Sequence, residues 1–388
     1  MATISNSAPQ FESPETMDAS LARFVGYFLW LGTTGFGGPI ALAGHMQRDL
    51  VEKRHWISRQ DYVEGLALAQ LAPGPLAAQL AIYLGYIRYG MLGATAVAIA
   101  FVLPSFLMVL ALSVAYVRFG GLPWMQAIFY GIGAAVIAII ARSAFKLTKL
   151  TLGRDKLLWG VFAVLAVTTA WTSREIIWLF VAAGFFVLLV KAMPSTTLLQ
   201  RGGLFLFAVP AVAEGNVLQS IFFYFAKAGM VVFGSGLAVV PFLYGGVVQE
   251  HHWLTDQQFL DAVAVAMITP GPVVITVAFI GYLVAGLSGA SVAALGMFVP
   301  VYLVVVVLAP SYKKWAKNPQ INAFVQGVTA AATGAIAGAV VVLARRSIFD
   351  IPTVAIAVIT FAILFRWKVP EPVLIGCAAV AGLFLKTI

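Results

Sequence analysis

The 388-residue chain is 61% hydrophobic and only 10% charged, with a mean hydropathy of +0.96, where soluble domains are roughly half apolar and a quarter charged. That balance excludes a soluble globular module and sets an integral membrane protein. The net charge of +9 does not imply a nucleic-acid partner, because the Lys and Arg residues fall in short loops between apolar runs, where they orient a chain in a bilayer.

In chain order, residues 1–20 are polar, with Glu12, Glu15 and Asp18 and no Lys or Arg. This is the wrong charge for a signal-peptide n-region and reads as a flexible tail. A first span is predicted at 24–47, interrupted by Gly35-Phe36-Gly37-Gly38-Pro39 before it reaches the basic stretch Arg48, Lys53, Arg54 and Arg59. A second interrupted segment, 61–87, surrounds Pro73-Gly74-Pro75. Four uninterrupted spans follow at 91–117, 124–146, 157–173 and 175–191. A linker over 193–215 leads to the same series again: 218–247 around Phe233-Gly234-Ser235-Gly236, 258–284 around Pro270-Gly271-Pro272, then 288–309, 321–343, 351–366 and 370–386. The only cysteine, Cys377, lies in the last run, so neither an intramolecular disulfide nor a cysteine metal site exists.

The series repeats because the chain is duplicated. An offset of 197 superposes Phe36-Gly37 on Phe233-Gly234, His55-Trp56 on His252-Trp253, and the two Pro-Gly-Pro motifs on each other. After one deletion, 196 superposes Gly90 on Gly286, Gly93 on Gly289, Pro104 on Pro300 and Gly131 on Gly327. The domains expected are thus an N-terminal repeat at 21–192 and a C-terminal repeat at 216–388. Equivalent loops carry opposite charge bias. The loop with Arg48, Lys53, Arg54 and Arg59 has a partner at Glu250, His251, His252 and Asp256 without Lys or Arg, and Arg118 stands opposite Lys313, Lys314 and Lys317. By the positive-inside rule the halves are inverted.

The expected fold is an all-α polytopic membrane protein of two inverted-topology repeats. It has about ten transmembrane helices plus two re-entrant or broken Pro-Gly-Pro segments, with the amino terminus outside. The rival topology, in which each Pro-Gly-Pro segment crosses as one broken helix, gives parallel halves.

Inverted repeats broken at matching places are the recurrent design of secondary transporters, in which half-helix ends supply backbone groups near the midplane. The four breaks are therefore a candidate substrate site, and helix starts after Pro39 and Pro75 suit an anion. Gln70, Gln79, Ser235, Thr269 and Thr276 flank them as hydrogen-bond donors, or else satisfy the freed backbone. Lys227 is a candidate charge partner, with snorkelling to the headgroups as the alternative. Glu64 and Asp261, each nine residues before a Pro-Gly-Pro motif, are candidate coupling carboxylates, with a solvated helix start as the alternative. No nucleophile, metal cluster or paired-carboxylate pattern marks an enzyme, and no cofactor is expected.

Phe-Gly-Gly-Pro at 36–39, Glu-Lys-Arg-His-Trp at 52–56 and Ala-Gln-Leu-Ala-Pro-Gly-Pro at 69–75 resemble the N-terminal signatures of the chromate ion transporter family, whose long members hold two homologous halves. The C-terminal half departs from that pattern with Phe-Gly-Ser-Gly and Met-Ile-Thr-Pro-Gly-Pro, so the halves are expected to contribute unequally. The resemblance implies export of chromate from the cytoplasm across the cell inner membrane and chromate resistance. Sulfate or another oxyanion, and an anion channel in place of a transporter, stay open as alternatives, as does a homodimer.

Overall fold

The computed structural model describes residues 19–36, 38–120, 122–172, 177–192, 216–231, 233–234, 239–311, 318–367 and 369–386. The tail before residue 19, the 193–215 linker, Gly37, Ser235 and Gly236 lie outside the described residues. The described residues are helical almost throughout. The N-terminal half contains α1 (Leu21–Thr34), α2 (Gly38–Met46) running into a π-helical turn (Gln47–Lys53), α3 (Arg59–Leu71), α4 (Leu76–Phe119), α5 (Pro123–Leu152), α6 (Lys156–Thr172) and α7 (Ile177–Lys191). The C-terminal half repeats this order with α8 (Val217–Val231), α9 (Val239–Tyr244) and its π-helical turn (Gly245–Glu250), α10 (Asp256–Ile268), α11 (Thr276–Leu308), α12 (Pro319–Ser347), α13 (Ile351–Arg366) and α14 (Glu371–Lys386).

Among the described residues, four helices are long and apolar enough to cross a membrane: Leu76–Phe119, Pro123–Leu152, Val273–Leu308 and Pro319–Arg345. Shorter apolar helices accompany them, and the chain is a multi-pass membrane protein. Two of the four are not straight. Within α4, Tyr89 and Gly90 leave helical geometry, with Gly90 at φ 62° and ψ −150°. In α11 the equivalent Ala285 and Gly286 do the same, with Gly286 at φ 59° and ψ −147°. Gly85 and Gly93 touch backbone to backbone across the first bend, as do Gly281 and Gly289 across the second. Eight residues of straight helix would hold each pair about 12 Å apart. Each long helix is therefore a short arm (76–88; 276–284) folded back on a full-length span (91–119; 287–308).

The Pro-Gly-Pro segments are hairpins. Gly65 of α3 packs against the Tyr83 ring and Leu80 of the short arm, residues that a continuous helix would separate by more than 20 Å. This excludes the crossing broken helix.

The first segments differ from expectation. Read as spans at 24–47 and 218–247, they are also hairpins. The Arg54 guanidinium lies 5.4 Å from the Tyr27 ring, Phe24 meets Trp56 at 6.2 Å, and the Tyr224 hydroxyl donates to the Phe242 carbonyl at 2.9 Å. Eighteen residues of helix between Tyr224 and Phe242 would span about 27 Å, so the chain reverses between them. Apolar length is equal for one 24-residue crossing and two half-length arms, and hydropathy alone cannot tell them apart. As a consequence the start of α1 shares an end with the basic loop: the Tyr89 hydroxyl donates to the Ala19 carbonyl, and Phe24 contacts both Tyr89 and Trp56. The expectation that α1 starts on the side opposite the basic loop is overturned: its start lies on the side of Arg54.

The loops that close the hairpins obey the repeat in detail. Ser58 and Thr255 cap α3 and α10, Thr255 through a capping box. His55 and His252 both take φ 51°, the left-handed conformation that swings each following Trp back towards its hairpin.

The halves interlock. Helix α5 packs on α13 and α14 of the other half, and α12 packs on α6 and α7. Glycines permit the close approach: Gly131 sits against Ala378 and Gly382, Gly327 against Ala183 and Gly184. Polar ties finish both ends of this exchange. Lys191 pairs with Asp155 and donates to Gln326 at 2.8 Å. The equivalent Asp350 accepts from Tyr130 at 2.6 Å, beneath the Lys386 ammonium, which lies 5.4 Å from the Tyr130 ring. The Lys191 hydrogen bond holds the Asp155 carboxyl below the usual range, against a small effect of burial.

Candidate substrate-binding site

Each half thus raises two hairpin tips, and the tips of one half meet those of the other. Gly74-Pro75 of the N-terminal half forms a two-residue parallel ladder with Phe233-Gly234 of the C-terminal half. In the reciprocal place the Gly271 N–H donates to the Gly35 carbonyl at 2.8 Å. The four predicted breaks are brought together pairwise and crosswise.

Local sequence explains the tips. Gly74 (φ 137°), Gly271 (φ 100°) and Gly38 (φ 74°) hold backbone conformations that side chains resist. Pro39 stands in the first turn of α2, where its missing N–H is harmless. Space is equally restrictive. A Cβ on Gly271 would overlap Ser105 Oγ, and one on Gly74 would come within 2.6 Å of Gln79 Nε2 and 3.1 Å of Val301. Ser105 and Val301 are repeat equivalents, each following a mid-helix proline of the spans 91–119 and 287–308. Each Pro-Gly-Pro tip therefore rests on the other half's span. The Ser105 hydroxyl completes the contact by donating to the Gly32 carbonyl at 3.3 Å.

The flanking polar side chains divide. Thr269 donates to Val265 O at 2.6 Å and Thr276 to Val273 O at 2.8 Å, so both buried hydroxyl protons serve local backbone carbonyls. Gln79, fully buried, donates to Pro73 O at 2.6 Å, while its Oε1 has no partner among the described residues. Gln70 is exposed at the end of α3, and Phe36 is 39% exposed, whereas Pro270, Gly271 and Pro272 are buried. Gly74 and Pro75, the equivalents of Gly271 and Pro272, are buried as well. Lys227 is half-buried one turn before the end of α8, at the repeat position of Trp30, which is half exposed.

The two carboxylates keep their symmetry but not their surroundings. Gln60 donates to Glu64 at 3.0 Å and Gln257 to Asp261 at 2.8 Å, both from one turn earlier. Glu64 is half-buried; Asp261 is 3% exposed and also accepts from the Tyr116 hydroxyl at 2.7 Å. Nine residues of helix put each about 13 Å from its tip, so neither touches the crossing. Sequence reading missed Tyr116 and Ser105. The signal available for Tyr116 was its recurrence as Tyr312 at the 196 offset.

The chromate transporter family model matches the chain twice, over residues 22–188 and 219–383. A chromate transport protein of Cupriavidus metallidurans is 62% identical over 94% of this chain and 93% of its own length. A probable chromate transport protein of Synechococcus elongatus is 58% identical over 94% and 95%, and a chromate transport protein of Pseudomonas aeruginosa 32% identical over 88% and 86%. No solved structure matches the chain. With both halves matched and the relatives aligned nearly end to end, the chain belongs to the chromate transporter family, a family of transporters and not of enzymes.

Proposed function

We propose that the protein exports chromate from the cytoplasm across the cell inner membrane, and so confers chromate resistance, through the crossing of the four hairpin tips. The observation that carries this reading is the reciprocal contact, Gly74-Pro75 with Phe233-Gly234 and Gly271 with Gly35, in a chain whose relatives bear the name chromate transport protein. The short arm of α4 and helix α2 both begin at the tips, so their first N–H groups and the positive ends of their dipoles face the crossing. A tetrahedral dianion is suited to that environment. Glycine at the turns lets the anion approach the backbone, and the unpartnered Oε1 of Gln79 accepts from a bridging water or a protonated oxyanion.

Inverted halves are part of the proposal. Hairpins of the N-terminal half enter from the end that holds Ala19, Arg54 and Trp56. Those of the C-terminal half enter from the end where Gly120, Thr255, Ser347 and Lys386 gather around one cavity. With the basic loop at 48–59 cytoplasmic, the tips approach the midplane from opposite faces, and rocking of one half on the other exposes them alternately. The membrane potential favours exit of a dianion by about 2.3 kcal/mol per charge per 100 mV.

The test is uptake of labelled chromate into everted membrane vesicles, with sulfate as competitor. Saturable uptake that excess sulfate inhibits weakly supports chromate. Inhibition by sulfate at equal concentration reassigns the substrate to tetrahedral dianions generally, and uptake equal to that of vesicles lacking the protein rejects the reading.

A further inference from the structure

At the end where the C-terminal hairpins enter, a cavity of about 300 Å³ runs between α4, α5, α10 and α14. Polar groups line it: Tyr116, Gln126, Tyr130, Gln257, Lys386 and the buried Asp261. By volume it has room for about ten waters. Its position is some 13 Å from the hairpin tips, so it is not the crossing.

We propose that this cavity is a one-sided proton vestibule and that Asp261 is the group it serves. The inference rests on the transport reading above and adds to it a coupling ion and the face from which that ion arrives. A buried carboxylate normally needs a charged partner or a route to water. Asp261 has neutral partners only, the Tyr116 hydroxyl on Oδ2 and the Gln257 amide on Oδ1, together with the cavity. A proton passes from water in the cavity to one Oδ, leaving a neutral acid that keeps the amide bond while the phenol rotates to accept; the reverse transfer returns it to water. No ion other than H⁺ crosses in this step.

The other ionisable groups that face this place are committed elsewhere. Tyr130 donates to Asp350, Lys386 lies over the Tyr130 ring, and Asp256, at the start of α10, accepts from Tyr244. Helix α12 adds Ser347, whose hydroxyl donates to Leu343 O. A lysine in the vestibule disfavours a bound metal cation, which separates a proton site from a sodium site. The half-buried Glu64, on the opposite hairpin, makes the arrangement asymmetric between the faces.

Three measurements on the full-length protein in a Cys377→Ser background decide this. Infrared pH-difference spectra of purified protein are expected to show a protonated-carboxyl band that Asp261→Asn abolishes and Asp261→Glu restores at a shifted pH. In proteoliposomes, chromate flux should follow the pH of the vestibule face. Asp261→Asn should flatten that profile, and Asp261→Glu and Tyr116→Phe should displace it. Gln257→Cys should react with a membrane-impermeant maleimide from that face alone. An unchanged carboxyl band in Asp261→Asn, flux that follows sodium instead of pH, or labelling from the opposite face overturns the proposal. If wild-type protein carries no chromate at all, the substrate reading fails, while the infrared titration and the labelling still decide the vestibule.

Discussion

The Gly271 N–H donates to the Gly35 carbonyl at 2.8 Å across a boundary that the chain crosses only after more than two hundred residues. The bond is made possible by a glycine at φ 100° whose missing Cβ leaves room for Ser105. Gly271→Ala should therefore insert normally and lose transport. Left-handed geometry costs an alanine about 1–2 kcal/mol, and the overlap with Ser105 Oγ pushes the tip from Gly35. Ser105→Ala in the same chain removes the overlapping oxygen and should recover part of the flux. Failure of the double variant to exceed Gly271→Ala would show that space at Ser105 is not what matters.

The fold-backs at Gly90 and Gly286 make a different prediction, because space is free there and only the backbone is constrained. Nothing lies within 4 Å of a Cβ at either position, yet φ near 60° with ψ near −150° is essentially a glycine conformation. Gly90→Ala should lower thermal stability in detergent by the equivalent of about 1–3 kcal/mol. Gly26→Ala, in open space within α1 at negative φ, should leave it unchanged or raised. Equal melting temperatures for Gly90→Ala and wild type would argue that the bend relaxes.

Much of this was legible in the sequence. The two Pro-Gly-Pro motifs, the paired glycines and the His-Trp pairs fall at constant offsets because each holds a backbone geometry that few residues adopt, so duplication left them in register. The hairpin nature of 24–47 was not legible: it depends on Arg54 reaching Tyr27 and on Trp56 reaching Phe24, contacts that hydropathy does not encode. The cavity was equally hidden, since Tyr116, Asp261 and Lys386 are far apart in the chain: the packing of α10 on α4 joins the first two, and only the exchange of α14 onto α5 brings Lys386 to them.

Topology gives a third prediction. Single cysteines at Arg54 and His252, in the Cys377→Ser background, should react with an impermeant reagent from opposite faces. A cysteine at Ala19 should react from the same face as one at Arg54, because α1 and α2 form a hairpin with Tyr89 bridging to Ala19. Reaction of the residue-19 and residue-54 cysteines from opposite faces would restore a crossing first segment.

The end tie between Lys191 and Asp155 should matter little. Asp155 has a lowered carboxyl pKa, first through its Lys191 hydrogen bond. Its stabilisation is thus complete above the ordinary carboxylate range and lost as pH falls through the lowered value. The pair is partly exposed, 29% and 31% by side chain, and ion pairs open to solvent contribute under about 1 kcal/mol. Asp155→Asn should shift the melting temperature at pH 7 by no more than a few degrees, and the difference from wild type should vanish in strong acid. A large loss at pH 7 would mean that the tie organises the packing of α7 on α12.

The central claim is that chromate passes through the crossed tips, and chromate flux through purified protein with one tip blocked tests it most directly. Proteoliposomes holding wild type, Gly74→Leu or Gly271→Leu would be compared for labelled-chromate uptake under a clamped potential, with a lipid-facing control such as Leu295→Ala. The account predicts saturable flux for wild type and the control, and flux reduced at least about a hundredfold for both tip variants when these are monodisperse and thermally folded. Wild-type flux in either well-folded tip variant would contradict it.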